Sequence, residues 1–298
     1  MSKNMYVFVC ICAIFMLFVS SVFANSSSRP DHTYSFTQEH GSSVYEENVG
    51  ALEANNVFRT ENITFTNRFN FSYADNSNEA ITSDVSRFSD IFIAKTDNYR
   101  FTTIARAAFF SGSDFMDNFQ YAFSVERTMK LDEGDQLDFG LAVTNFAIYN
   151  RVYPGPVILP IISWTTHLGP STICRIGVPT MIMYRGAKWG IGFNYAPVFN
   201  SKIFAYLIPW SFFKTELYVY SHKTRLAIGD PTRNEVLHMF YSGVFWENTF
   251  FVSKTISILL GGGCNIFERS WVGNQMNLLS GREQGASYRI KAGITAMF

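Results

Sequence analysis

The sequence predicts an all-β chain: a closed, antiparallel transmembrane β-barrel of about 12 strands, in a range of roughly 10 to 14. Three observations lead there. Apolar and polar residues alternate over long stretches, and a period of two is the period of a strand, because successive side chains point to opposite faces. Aromatic residues make up 17% of the 298 residues, with 30 Phe and 15 Tyr. Charged residues make up 16%, against about 25% in an ordinary soluble domain. After residue 24 the longest apolar run, "VILPIISW" (157–164), holds Pro160 and is far short of the ~20 residues of a spanning helix.

The first 24 residues stand apart. Lys3 precedes the apolar run "MYVFVCICAIFMLFV", and Val22 and Ala24 occupy the small-residue positions of a cleavage site. That is the layout of a cleaved secretory signal peptide. Cys10 follows Val9 and Cys12 follows Ile11, so neither has the small residue that a lipoprotein anchor needs before it. Residues 25–57 are polar, rich in Ser, Asn and Glu, and show no sustained period, which predicts a disordered N-terminal segment ahead of a barrel domain at 58–298. The 24 basic residues balance 24 acidic ones, so the chain has no basic excess with which to hold nucleic acid. Beyond residue 24 the cysteines are Cys174 and Cys264, which form either one disulfide or two separate thiols. No CxxC pair or Cys/His cluster is present, and neither a metal nor a cofactor is expected.

Strands follow in order. In "NITFTNRFNFSY" (62–73), Ile63, Phe65, Phe69, Phe71 and Tyr73 share one face, broken only by Asn67. In "FQYAFSVERTMKL" (119–131), Phe119, Tyr121, Phe123, Val125, Met129 and Leu131 alternate with Gln120, Ala122, Ser124, Glu126, Thr128 and Lys130. "DEGD" (132–135) turns the chain into "QLDFGLAVT" (136–144), completing a hairpin. "KWGIGFNYA" (188–196) and "IFAYLIPW" (203–210) repeat the pattern, and "KTDN" (95–98), "NSK" (200–202) and "GDPTRNE" (229–235) read as turns. Residues 236–266 are too densely apolar to phase.

The apolar face meets either a second sheet, as in a soluble sandwich, or lipid. Lipid is favoured. The other face is often tiny, as at Gly140, Ala142, Gly190, Gly192 and Gly293, where a solvated face would carry Lys and Glu. Aromatics gather at strand ends, among them Tyr73, Trp164, Tyr184, Trp189, Trp210 and Phe298, as in the interfacial girdles of membrane barrels. Closure also satisfies every backbone group and leaves no edge.

The chain ends "YRIKAGITAMF" (288–298), with Phe298, Ala296, Ile294, Ala292, Ile290 and Tyr288 on one parity. This ending resembles the C-terminal strand of Gram-negative outer-membrane β-barrel proteins. The resemblance implies that the barrel-assembly machinery reads Phe298, Ala296, Ile294, Ile290 and Tyr288. It also implies an outer-membrane location, lipid around the wall and the polar N-terminal segment on the periplasmic side. Ala296 and Ala292 are smaller than that pattern usually has. The stretch 159–197, with its "VP", "MYR" and following Trp, is similar to a family of outer-membrane barrels and brings no activity with it.

Function is less legible. The inward parity carries the charges Glu126, Lys130 and Asp138 on one hairpin, with Arg175, Lys188, Lys214, Glu216, Arg289 and Lys291 further on. Opposed charges there either set a field that selects small solutes or pair and fill a narrow lumen. A barrel of 10 to 12 strands favours filling, because open water channels belong to wider rings. The expected role is passive, a small-solute channel or a structural envelope barrel, and not an enzyme. The alternatives are a lipid-modifying barrel enzyme and a soluble secreted β-sandwich. An enzyme of that kind needs a His and a Ser in hydrogen-bond reach. His32 and His40 lie in the polar segment, His167 in a Gly/Pro loop, and His222 and His238 flank a turn across which they could meet. "GGG" (261–263) lacks the Lys-Ser/Thr of a phosphate loop and marks a kink or tight packing, and "ERSW" (268–271) reads as a rim pair.

Overall fold

A computed structural model describes residues 31–41, 48–74, 85–109, 118–131, 134–145, 156–177, 179–196, 200–227, 236–273, 282–284 and 286–298. The signal peptide expected over 1–24 lies outside the described residues, as do the turn expected at 229–235 and the polar residues 25–30.

Every strand is antiparallel to its neighbours, and the sheet closes on itself. The order around the ring begins with β1 (Asp31–Gly41), β2 (Asn48–Arg59), β3 (Thr64–Ala74), β4 (Val85–Lys95) and β5 (Tyr99–Phe109). It continues through β6 (Gln120–Lys130), β7 (Gln136–Thr144), β8 (Val157–His167), β9 (Thr172–Ile176), β10 (Thr180–Arg185) and β11 (Trp189–Ala196). Then come β12 (Asn200–Trp210), β13 (Phe213–Ala227), β14 (Val236–Phe251) and β15 (Ile256–Val272). A three-residue strand, β16 (Arg282–Gln284), pairs only with the far end of β15. The last strand, β17 (Ser287–Met297), pairs with β15 on one side and β1 on the other. The seam is closed by His32 N–H to Phe298 O at 3.0 Å and Phe298 N–H to His32 O at 2.8 Å.

Among the described residues the ring therefore has 16 staves, with β16 an appendage. This corrects the expected count of about 12. It also corrects the disordered segment expected at 25–57, because residues 31–41 and 48–57 are barrel wall. The reason is the same for both strands. Outward positions of β2 include Gly50, Ala54 and Asn56, so the wall there has little apolar contrast, and the strands are held by full ladders to β3 and β17. β9 and β10 are too short to show a period, and the unphased stretch 236–266 conceals two strands of 16 and 17 residues. "NSK" (200–202) opens β12 and is not a turn.

The register assigns faces without ambiguity. Phe36, Leu52, Phe123, Leu141, Ile162, Ile203, Leu217, Ile258, Ile290 and Ile294 all fall on one side of the ring and are exposed. Side chains of the opposite parity, such as Ser124, Thr128, Asp138 and Ser163, are buried against one another. An apolar exterior around a polar interior is the inverse of a sandwich, so that alternative is set aside. No helix among the described residues is long and apolar enough to cross a membrane.

The two ends of the barrel differ. Tight turns at 60–63, 96–98, 168–171, 186–188, 211–212 and 252–255 share one end with Asp31 and Phe298. Gly134 takes φ +86° in the turn between β6 and β7 at that end, a conformation glycine adopts without strain. Gly41, Asn48, Ala74, Val85, Phe109, Gln120, Ala227 and Val236, the other ends of their strands, lie at the opposite end. Outward Trp164, Tyr184, Trp189, Trp210, Phe213 and Phe250 line the tight-turn end from β8 to β14. The Tyr184 and Trp189 rings meet at 4.5 Å with a 38° tilt, and Trp164 donates Nε1–H to Asp135 at 3.2 Å. They form a belt of aromatic rings on the outer face at that end.

The inward glycines of β11 have a packing reason. Tyr206 and Phe204 on β12 lie over Gly190 and Gly192, and a Cβ at either glycine would run into the ring. The rings therefore lie flat on the wall and do not project across the lumen.

Candidate functional site: a charged inner wall

Three lattices of polar side chains line the interior. The first spans β5 to β9. Arg100 Nη1 stands 3.5 Å from Glu126 Oε2 and 3.9 Å from Asp138 Oδ2, and Arg175 Nη2 stands 3.6 Å from Asp138 Oδ2 and 4.0 Å from Glu126 Oε2. Thr128 Oγ1 and Gln136 Nε2 donate to Asp138 Oδ1 at 2.7 and 2.6 Å, and Arg175 donates to Ser163 Oγ at 2.8 Å. Two guanidiniums and two carboxylates thus share one patch of wall. The alternation that builds strands also puts these four on one face, and antiparallel register sets Arg100 opposite Glu126.

The second lattice lies on β12 and β13. Lys202 and Lys214 each donate to Glu216, both at 2.7 Å. Lys202 Nζ also sits 3.9 Å from the centre of the Tyr218 ring, a cation–π contact. The third joins β1, β13, β14, β15 and β17. Arg289 pairs with Glu39 at 2.5 Å, Lys291 with Glu247 at 2.9 Å, and Tyr218 Oη donates to Glu247 at 2.9 Å. Glu268, 0% exposed, accepts from Asn265 at 2.5 Å and from Ser287, while Tyr220 donates to Asn265.

Of the inward charges expected from sequence, Glu126, Asp138 and Arg175 meet in the first lattice, Lys214 and Glu216 in the second, Arg289 and Lys291 in the third. Lys130 and Lys188 do not join them. Lys130 is the exposed last residue of β6 and Lys188 is exposed in the turn before β11, so both belong to the rim. Sequence reasoning missed Arg100, Glu39, Lys202, Glu247 and Glu268. Glu39 lay in the segment read as disordered and Lys202 in a stretch read as a turn. Glu247 lay in the unphased region. Glu268, read as a rim pair with Arg269, turns inward with Arg289 and Ser287 instead.

All these pairs run along the wall. The widest, Arg175 to Glu126, links β9 to β6. The single charge on β3, Arg68, faces inward and is exposed. His222 and His238 fall on opposite faces of the β13–β14 pair, since His222 stands across from Tyr241 and His238 from Arg225. His238 Nε2 meets Gly273 O at 2.9 Å and its ring stacks on Trp271. They do not converge. No group of three metal-ligating side chains occurs among the described residues. Cys174 and Cys264 are free thiols on the outer face of β9 and β15, six staves apart.

No family model matches the chain, and no curated protein matches it. Solved structures similar to it are outer-membrane barrels. OmpT, an outer membrane protein of Vibrio cholerae, is 6% identical with TM-score 0.35, over 92% of this chain and 99% of that one. The translocator domain of the autotransporter NalP from Neisseria meningitidis is 9% identical with TM-score 0.31, over 100% of this chain and 98% of that one. CymD, a monoaromatic hydrocarbon channel, is 9% identical with TM-score 0.31, over 95% of this chain and 92% of that one. The chain is a closed antiparallel β-barrel with an apolar exterior and a charged interior.

Proposed function

We propose that the chain is an outer-membrane channel through which small hydrophilic solutes pass passively, exported by a cleaved signal peptide and surrounded by lipid. The observation that carries this reading is the combination of ring size and pairing direction. Rings near eight strands fill with side chains, and rings of 16 to 18 leave an aqueous channel. Here 16 staves carry charges whose pairs reach no further than from β6 to β9, and the inward rings of Phe204, Tyr206 and Phe245 lie over glycines. The filled lumen expected for a 12-stranded barrel loses its basis with the larger ring.

Refolded mature protein should give discrete conductance steps in a planar bilayer. Arg175→Glu removes one of the two guanidiniums beside Glu126 and Asp138 and adds a third carboxylate to the same patch, so the reversal potential in a salt gradient should move toward cation preference. A folded barrel that stays electrically silent would end the channel reading and leave the structural-barrel and lipid-enzyme alternatives.

We further propose that the assembly machinery reads the outward ladder Tyr288, Ile290, Ile294, Ala296 and Phe298. These residues lie on the lipid side of β17, and Phe298 closes the seam. Deleting Phe298 should deplete the heat-modifiable, folded form from the membrane fraction. An unchanged yield would show that the terminal ring is not part of the signal.

A further inference from the structure

One sector of the outer wall breaks the apolar pattern. His32, Asn56 and Asn67 stand in direct register on β1, β2 and β3, and Asp90 on β4 is diagonal to Asn67. All four share the parity of Phe36, Leu52 and Phe92, which face outward. His32 Nδ1 and Asn56 Oδ1 are 2.7 Å apart, and Asn67 Nδ2 donates to Asp90 Oδ1 at 2.6 Å. A polar row thus climbs obliquely from the seam at the tight-turn end to the middle of the wall. Asp90 is the central residue of β4 and, among the described residues, the only carboxylate on the outward parity of the membrane-spanning strands.

A carboxylate at that height is costly in hydrocarbon, where no headgroup or water supplies donors. Among the described residues its donors are the Asn67 amide and the backbone N–H of Ile91, about half of what an ionised carboxylate accepts. The surroundings suit protein better than lipid. Two aromatic pairs bracket the Asn67–Asp90 pair along the same two strands, Phe69 with Phe88 at 5.4 Å and Phe65 with Phe92 at 6.0 Å. A polar pair inside an apolar frame is the layout of an interface hot spot. On the adjoining β5 the outward residues Thr103, Ala105 and Ala107 are small and let another wall approach.

We propose that this sector is an interface between two copies of this chain, side by side around a two-fold axis normal to the membrane. The pair's own geometry selects a second copy. Asn67 and Asp90 are lateral neighbours, so a two-fold axis between them sets each Asn67 amide opposite the second copy's Asp90. The same patch then supplies donor and acceptor to itself, as an isologous contact requires. The inference needs only that the barrel spans a membrane and does not depend on an open lumen.

The test is sedimentation of the refolded mature barrel in detergent across a concentration series. The wild type should be a dimer, and the double variant Asn67→Leu/Asp90→Leu should dissociate about 100-fold more readily, since a hydrogen bond to a charged group is lost from each half. The double variant should keep the heat-modifiable mobility of a folded barrel. In a Cys174→Ser/Cys264→Ser chain, Asn67→Cys should form a covalent dimer with a short bismaleimide, which tests the contact without removing Asp90. A monomeric wild type, a dimer indifferent to the double variant, or no cross-link at Asn67→Cys would each overturn the proposal.

Discussion

Replacing Asp138 with alanine should lower the unfolding free energy by about 3–5 kcal/mol, the cost of breaking a buried ion pair by removing one partner. Asp138 is 0% exposed and accepts hydrogen bonds from Thr128 and Gln136, with Arg100 and Arg175 both within 4 Å of its carboxylate. Its loss leaves two guanidiniums to share Glu126 alone. Asp138→Asn keeps an acceptor for Thr128 and should cost less, about 1–3 kcal/mol. Glu126→Ala should fall below Asp138→Ala, because both arginines retain Asp138. Urea unfolding in phospholipid vesicles, followed by tryptophan fluorescence, measures all three. If Asp138→Ala lies within about 1 kcal/mol of wild type, lumen water solvates the arginines and the lattice is not structural.

A second large effect separates the two faces. Ile162 is 67% exposed at the middle of β8, facing outward, while Asn194 on β11 faces inward and is exposed to the lumen. Ile162→Arg should cost about 2–4 kcal/mol, the penalty for a cation on the lipid face near the midplane. Asn194→Arg puts the same side chain in water and should stay within about 0.5 kcal/mol. The same urea titration compares them. Equal costs would mean that the register has been assigned to the wrong faces, since slipping by one residue exchanges every side chain between lipid and lumen.

How far the sequence could be read depended on contrast. Where the outward residues are large and apolar, as in Phe123, Val125, Met129 opposite Glu126 and Thr128, both strand and face were legible. So was the first lattice in part, because Glu126, Asp138 and Arg175 share that parity. Contrast failed in two ways. β1 and β2 carry His32, Asn56, Ala54 and Gly50 outward, so a wall strand looked like a polar tail. β14 and β15 are apolar on both parities over long spans, because Phe245 and Leu259 face inward beside glycines. In both cases the decisive force is pairing with neighbours distant in sequence, which a local pattern does not contain. The missed charges Glu39, Glu247 and Glu268 all sit on those strands.

The seam between β1 and β17 has a kinetic consequence. Nearly every other pairing joins strands adjacent in the chain, so hairpins form from local contacts. The seam joins Thr33 to Met297 and Gly41 to Arg289, almost the full length of the protein apart. Contacts of such separation repay their loop-closure entropy only at the end of folding, and they slow it. Until then the half-built sheet presents two open edges, each a template for pairing with another chain. Closure is therefore the slow, committing step of folding, and any factor that holds the first strand until the last arrives sets the rate at which this barrel is made.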